Sequence, residues 1–161
     1  MNYKIVLCLL MLTQIAIAST NFNNWKLKND FQTTKVWQHK NEELLYASLE
    51  QSKISSEKEY KDFLKDLKKI QVEKKKTLEL IGVSDWIAKK SAWIKINNKE
   101  FFEVDGTYTD NFDETVYFKE FHLIEGTSVV KVLFTSTKNS ALNKNEINAF
   151  LKKVKLGEVN E

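Results

Sequence analysis

The sequence predicts an α+β domain in which an antiparallel β-sheet meander packs with two amphipathic helices. Residues 88–136 alternate apolar and polar positions and are rich in β-branched and aromatic side chains, as strands of a half-buried sheet are. Residues 56–76 and 147–154 instead repeat apolar side chains every three or four positions, as amphipathic helices do. The order strands, helix, meander, helix places one helix on each face of the sheet or both on one face.

The first eighteen residues have the layout of a secretory signal peptide. Lys4 supplies a positive charge, residues 5–12 are apolar, and Ala16-Ile17-Ala18 resembles a signal-peptidase site. We therefore expect export to the periplasm or the extracellular space, with residues 19–161 as one globular domain and no stable membrane insertion after cleavage.

Two alternatives for this segment are a retained membrane anchor and an acylated lipoprotein. The apolar run is broken by Thr13 and Gln14, and it is shorter than the about 20 residues that span a bilayer. Cys8 lies inside the apolar run, too close to the start to follow a complete signal. Cleavage after Ala18 is the favoured interpretation.

The composition argues against several classes of function. Cys8 is the only cysteine, so the exported part has neither disulfides nor thiol chemistry. All 25 basic residues are lysine, and bidentate recognition of guanine depends on arginine, so sequence-specific nucleic-acid binding is disfavoured. No serine lies in the G-x-S-x-G sequence that carries a hydrolase nucleophile. The four glycines form no phosphate-binding loop, so nucleotide-driven catalysis is unsupported.

The sequence predicts short strands in the region before the first helix. Residues 25–27, 36–39 and 44–49 have alternating or apolar patterns, and the polar stretch 40–43 is short enough for a hairpin loop. Ser56 then begins the helix as the first residue of a capping box with Glu59.

The first helix has a mixed polar face of lysines and carboxylates, which favours core packing over membrane binding. The run Lys74-Lys75-Lys76 indicates a solvated helix end, where positive charge suits the helix dipole. Residues 78–82 indicate either a last helical turn that ends at Gly82 or a short strand. The apolar positions of this helix are spaced by three or four: Tyr60, Phe63, Leu64, Leu67 and Ile70.

The meander consists of four predicted strands. They cover residues 92–96, 100–109, 115–124 and 127–136, and the connections between them carry Asn, Asp or Gly, which favour tight turns. The second helix is predicted to end near Leu156-Gly157.

Candidate chemical groups are few. His39 and His122 could pair to bind zinc or to move protons, but ordinary strand histidines are favoured. The densest acidic group is Asp105, Asp110, Asp113 and Glu114. Residues 110–114 could bind calcium, and two carboxylates of the group could act as a pair in hydrolysis. Turn formation is the favoured interpretation of residues 110–114. The tryptophans are assigned to packing rather than to a ligand groove: Trp25, Trp37, Trp86 and Trp93.

The order of elements over about residues 22–156 is similar to the PsbP-like family, the lumenal photosystem II subunit and its bacterial relatives. The matching pieces are the turn at 96–100, the strands at 114–118 and 129–134, and the closing helix at 150–154. The resemblance implies an α-β-α sandwich around an antiparallel sheet and an accessory or binding role. No metal-binding residue of that family is matched.

The expected function is therefore an exported, non-enzymatic domain that binds a protein partner or assists an envelope assembly. The alternative is a binder of a small molecule or lipid, with an apolar pocket between sheet and helix. A third hypothesis, an envelope hydrolase, requires two acidic side chains that converge in a cleft. The sequence assigns no catalytic residue, metal or cofactor, and it leaves the oligomeric state and cation binding by residues 110–114 open.

Overall fold

The computed structural model describes residues 24–31 and 34–154. This part of the chain folds into a seven-stranded sheet with three α-helices and one short 3-10 turn. The strands are β1 Trp25–Asp30, β2 Thr34–His39, β3 Leu45–Lys53, β4 Ser84–Ile96, β5 Lys99–Thr109, β6 Thr115–Glu125 and β7 Ser128–Ser136. The helices are α1 Glu57–Leu64, α2 Leu67–Glu79 and α3 Lys144–Lys153, with the 3-10 turn at Asn139–Ala141.

The sheet is antiparallel throughout, in the order β1-β2-β3-β7-β6-β5-β4. The α+β class predicted from the sequence is confirmed. Since β3 pairs with β7, the chain must pass from the end of β3 to the far edge of the sheet before β4 begins. The segment that makes this crossing is the α1–α2 pair.

The first core layer lies between α3 and one face of the sheet. Ile147, Phe150 and Leu151 of α3 are buried against strands from both halves of the sheet. The Phe150 ring meets the rings of Trp25, Trp37 and Phe134 at centroid distances of 5.2, 5.5 and 5.3 Å. Such edge-to-face contacts add to the free energy gained by burying aromatic area.

The second core layer lies on the opposite face, under α1 and α2. Leu64 and Ile70 are its buried helical members. The Trp86 ring stacks on Phe118 at 5.1 Å. Successive residues of a strand point to opposite faces, so this layer takes the alternate positions of β5 and β6. The helices therefore lie on both faces, which selects one of the two arrangements left open by the sequence.

The first predicted helix is two helices, and the prediction of two helices in all was wrong. Ser56 Oγ accepts a hydrogen bond from Glu59 N at 3.3 Å, as expected of an N-cap. The Asp66 carboxylate then accepts hydrogen bonds from Lys68 N and Lys69 N at 3.1 and 3.2 Å. Asp66 therefore ends one helix and caps the next, an effect that the periodicity of apolar residues does not reveal.

The ambiguous segment 78–82 is the end of α2 rather than a strand. Val83 N donates back to Leu78 O, and Gly82 has a φ of +79°, a conformation that favours glycine at helix ends. Strand β4 follows and begins at Ser84, eight residues before the predicted start at Ala92. Two register shifts, between Ser84 and Ile87 and between Ala88 and Lys90, hide its alternation.

The expected signal peptide at residues 1–18 and the predicted end of the last helix near residue 156 lie outside the described residues. Within the described ranges, no helix is long and apolar enough to span a bilayer.

Candidate functional site

A chain of four polar side chains runs between the sheet and the α1–α2 pair. Lys74 Nζ contacts Glu120 Oε2 at 2.7 Å, and Glu120 Oε1 contacts His122 Nε2 at 2.8 Å. His122 Nδ1 lies 2.9 Å from the Tyr60 hydroxyl. We call these residues the polar chain. Its members come from α1, α2 and β6, so it ties both crossing helices to the sheet.

The polar chain is held in an apolar layer. Glu120 and His122 are 5% and 4% exposed, and they lie two residues apart on β6, on the face that carries Phe118 and Ile124. A buried carboxylate is unstable unless cations and hydrogen bonds stabilise it. Burial opposes ionisation of Glu120, but the hydrogen bond and charge of His122 and the charge of Lys74 outweigh it, so the pKa of this carboxyl is well below its usual range.

The other end of the polar chain is the Tyr60 hydroxyl. Burial, followed by the negative charges of Glu120, Glu50 and Glu73, raises the pKa of Tyr60 well above its usual value. The phenol therefore keeps its proton at neutral pH. An ionised Glu120 can only accept, so it fixes a proton on His122 Nε2.

A pocket of about 260 Å³ opens beside Tyr60. It lies where the chain leaves β3 and enters α1, and both Tyr60 and Phe63 are partly exposed in it. Its lining residues are Ile54, Ser55, Ser56, Glu59, Tyr60 and Phe63. We call it the Tyr60 pocket.

A second, larger depression of about 440 Å³ lies at the β1–β3 end of the sheet. Lys26, Lys28 and Lys40 contribute three amines and Glu43 one carboxylate, while Tyr46 and Leu44 add apolar surface.

Among the described residues, the most exposed large apolar side chains lie at one end of the molecule. Leu80, Ile81 and Phe112 are 86%, 62% and 85% exposed. We call them the apolar tip. Leu80 and Ile81 follow α2, and Phe112 lies in the turn between β5 and β6.

Hydrogen bonds hold the two loops of the apolar tip together. In the amide orientation that pairs donors with acceptors, Asn111 donates to Gly82 O at 2.6 Å and to Ile81 O at 3.2 Å. The Asp110 carboxylate accepts from Phe112 N and Glu114 N at 2.9 and 3.0 Å. Asp110 therefore shapes the turn, as the sequence favoured.

The acidic group considered in the sequence does not form one site. Asp105 lies in the middle of β5, where its carboxylate contacts Lys90 and Lys119 at 3.4 and 3.5 Å. Lys119 also contacts Glu103 at 2.8 Å. Burial lowers the pKa of Lys119, but the hydrogen bond and charge of Glu103 and the charge of Asp105 raise it above its usual value. Glu103 and Asp105 thus converge on a lysine, which offsets their charges.

The two histidines lie on opposite faces of the sheet and cannot share a ligand. His39 faces α3, where Nε2 is 3.3 Å from Glu146 and Nδ1 accepts from Asn41 N. Within residues 24–31 and 34–154, no cluster of three or more His, Cys, Asp or Glu side chains is arranged to hold a metal ion.

Three of the four tryptophans pack as expected, since Trp25, Trp37 and Trp86 are each 6% exposed. Trp93 is only partly buried, and Lys61 Nζ lies 5.6 Å from its ring centroid. The tryptophans do not line either pocket described above.

Sequence reasoning missed Glu120, Lys74 and Tyr60 as members of one network. The prediction that Lys74 lies at a solvated helix end is wrong, because its amine reaches the Glu120 carboxylate. One signal was present in the sequence. Glu120 and His122 occupy alternate positions of a strand whose other same-face residues, Val116 and Phe118, are apolar.

No family model matches the chain, and no curated protein matches it. Among solved structures, a protein of unknown function from Pseudomonas aeruginosa is similar with a TM-score of 0.56 and 7% identity, over 82% of this chain and 96% of that one. A Bacteroides thetaiotaomicron protein is similar with a TM-score of 0.53 and 9% identity, over 86% of this chain and 44% of that one. The chain thus spans less than half of the Bacteroides protein. At these identities the similarity concerns the fold alone.

Proposed function

We propose that this chain is an exported, non-enzymatic domain of the PsbP-like kind that binds a protein partner through the apolar tip. The observation that carries the proposal is the exposure of Leu80, Ile81 and Phe112 on two loops joined by Asn111. Folded proteins seldom expose contiguous large apolar side chains unless they bind something there. Aromatic side chains are also common anchors at the centres of interfaces.

The charge around the apolar tip defines the partner. Residues 79–85 and 110–114 contain carboxylates and no lysine. A partner with an apolar socket and a lysine- or arginine-rich rim would complement this surface. An anionic lipid surface would be repelled by it. The flanking carboxylates are Glu79, Asp85, Asp110, Asp113 and Glu114.

The polar chain supports a non-enzymatic role. The Tyr60 phenol keeps its proton, and two neighbouring groups stabilise the Glu120 carboxylate. A general base must accept a proton from a substrate near neutral pH, and neither group is suited to that task. Their contacts instead link α1, α2 and β6.

The test is capture of a binding partner from the envelope fraction of the host by purified wild-type protein and by three variants. Phe112→Ser and Leu80→Ser each remove one apolar anchor, and we expect each to reduce capture at least about tenfold. Phe31→Ser is the matched control, because Phe31 is 60% exposed but lies beside β1. Higher salt should weaken capture, since the rim charges attract the partner.

Three outcomes would contradict the proposal. They are equal capture by Phe112→Ser and wild type, equal loss in Phe31→Ser, and failure of the wild type to capture any partner. Sedimentation of the purified protein tests a fourth outcome that would contradict it. A dimer that Phe112→Ser dissociates would assign the apolar tip to self-association.

A further inference from the structure

We infer that the Tyr60 pocket is a binding site for a small organic cation with an apolar body, of the quaternary ammonium class. The pocket lies on the face that α1 and α2 cover, and the apolar tip is formed by other loops. The site is therefore separate from the surface proposed to bind a protein partner.

Two aromatic rings line the pocket from successive turns of α1. The ring centroids of Tyr60 and Phe63 are 6.2 Å apart and their planes are tilted by 35°. A cation that lies over both rings can be within the about 6 Å of each centroid over which cation–π attraction acts. Ile54 supplies apolar contact for the substituents of the cation.

The charge of the pocket favours a cation over an anion or a neutral ligand. Glu59 lines the pocket and is exposed. Its carboxylate forms no ion pair with a lysine or histidine of the described residues. Two lysines of α1 are close to Tyr60 in sequence, but Lys58 does not line the pocket and Lys61 Nζ contacts Glu57 at 2.7 Å. Glu50 adds negative potential at Tyr60.

The polar chain fixes the ring of Tyr60 for this role. Its hydroxyl is anchored to His122 at 2.9 Å. Because the ring is already held in place, ligand binding does not carry the entropy cost of ordering it. A volume of about 260 Å³ is slightly below the range typical of drug-sized ligands, so a compact headgroup suits it.

The experiment is an NMR titration of the full exported chain with choline and with 3,3-dimethylbutan-1-ol, its neutral isostere. We expect saturable shifts of the backbone amides of Ile54 to Phe63 with choline, and binding of the isostere weaker by about tenfold. Two variants test the assigned groups. Glu59→Gln and Phe63→Leu should each weaken choline binding by about fivefold.

Asp62→Asn is the matched control for Glu59→Gln. It makes the same change of charge on the same helix, but Asp62 pairs with Lys65 at 2.8 Å and does not line the pocket. Choline binding should be unchanged in this variant and in Phe112→Ser, which separates the result from the fate of the apolar tip. Equal binding of the isostere, equal weakening by Asp62→Asn, or no saturable shifts with choline would each overturn the inference.

Discussion

Glu120 places a negative charge beneath two helices, where water reaches little of it. The carboxylate keeps this charge because Lys74 and His122 contact both of its oxygens, at 2.7 and 2.8 Å. Removing one partner of such a buried pair leaves the other charge uncompensated. The resulting loss of folding free energy is larger than the net free energy that the intact pair contributes. Glu120 therefore holds α2 to the sheet together with the apolar contacts of Ile70.

Lys74→Met should lower the free energy of unfolding by about 3 kcal/mol, because it removes the ammonium while keeping most of the apolar stem. Urea denaturation measures the change. Lys75→Met is the control, since Lys75 is exposed and 3.8 Å from Glu79, and it should cost less than about 0.5 kcal/mol. In the double variant with Glu120→Leu, much of the loss should be recovered; additive losses would count against the ion-pair account.

The stability of the protein should fall as the pH is lowered through the acid range. The folded-state pKa of Glu120 lies below its ordinary value of 4.5, so the unfolded chain binds more protons between the two pKa values. The contribution of Glu120 is therefore complete above the ordinary pKa and is lost as pH falls toward the folded-state value. Urea midpoints between pH 7 and pH 3 should show a flatter pH dependence for Glu120→Gln than for wild type; equal slopes would refute this.

Gly106 lies on β5 opposite Ala88 of β4, between the two register shifts of that strand pair. A Cβ at this position would be 1.9 Å from Ile87 O and 2.9 Å from the Phe118 ring. Because the first atom belongs to the backbone, it cannot move aside easily.

Gly106→Ala should therefore destabilise the protein by more than about 2 kcal/mol in thermal or urea unfolding. Gly126→Ala is a useful comparison because nothing lies within 4 Å of its Cβ position and only its φ of +58° opposes the change. It should cost about 1 kcal/mol. A Gly106→Ala protein as stable as Gly126→Ala would contradict the packing argument.

The residues of the polar chain could be predicted only in part. Alternation in residues 115–124 places Glu120 and His122 on one face with Phe118, and the structure confirms this. Tyr60 and Lys74 are far from β6 in sequence, and only the crossing of α1 and α2 over the sheet brings them near. That crossing depends on the pairing of β3 with β7, which no local pattern encodes.

At the scale of elements, the break between α1 and α2 is set by one side chain. Apolar spacing continues from Phe63 through Leu67 to Ile70, so periodicity alone predicts one helix. Asp66 instead caps α2, and its backbone angles of −100° and 87° are not helical. The competition between capping and continuation is decided by the hydrogen bonds to Lys68 and Lys69.

Asp66→Ala should reduce stability by about 1 kcal/mol, because two amide groups of α2 lose their acceptor. Asp62→Ala is the control; it removes an exposed ion pair with Lys65 and should cost under about 0.5 kcal/mol. Circular dichroism during urea unfolding checks both. Equal losses in the two variants would show that the charge, rather than the cap, is what matters.

Strand β4 shows a second limit of local patterns. Its first eight residues, from Ser84, include charged side chains and two register shifts, so the alternation typical of strands is absent there. The strand lies at an edge of the sheet, where charged residues and bulges protect against pairing with other chains. The features that hid it from prediction therefore have a physical role.

At the scale of the whole molecule, the two core layers are covered by different helices. Trp25, Trp37 and Phe134 join α3 on one face, while Trp86 and Phe118 join α1 and α2 on the other. The strands between them contribute to both layers. The central strands β7 and β6 have partners on each side, whereas the edge strands β1 and β4 each have one, and five of the six residues of β1 are exposed.

Amide hydrogen exchange should follow this arrangement. We expect the slowest exchange in β6 and β7 and the fastest strand exchange in β1, because local opening of an edge strand breaks one ladder and exposes little core. Mass spectrometry of exchanged protein at neutral pH checks the order. Protection of β1 equal to that of β7 would mean that another surface covers this edge.

The pairing of β3 with β7 also has a consequence in time. During synthesis, residues 45–53 emerge long before residues 128–136, yet the two segments are neighbours in the finished sheet. Until β7 is available, the β1–β3 unit and the β4–β6 unit each keep an open edge that can pair with other chains. The last strand therefore completes both halves at once, and a chain that stops before Ser128 would present two unfinished sheets instead of one smaller protein.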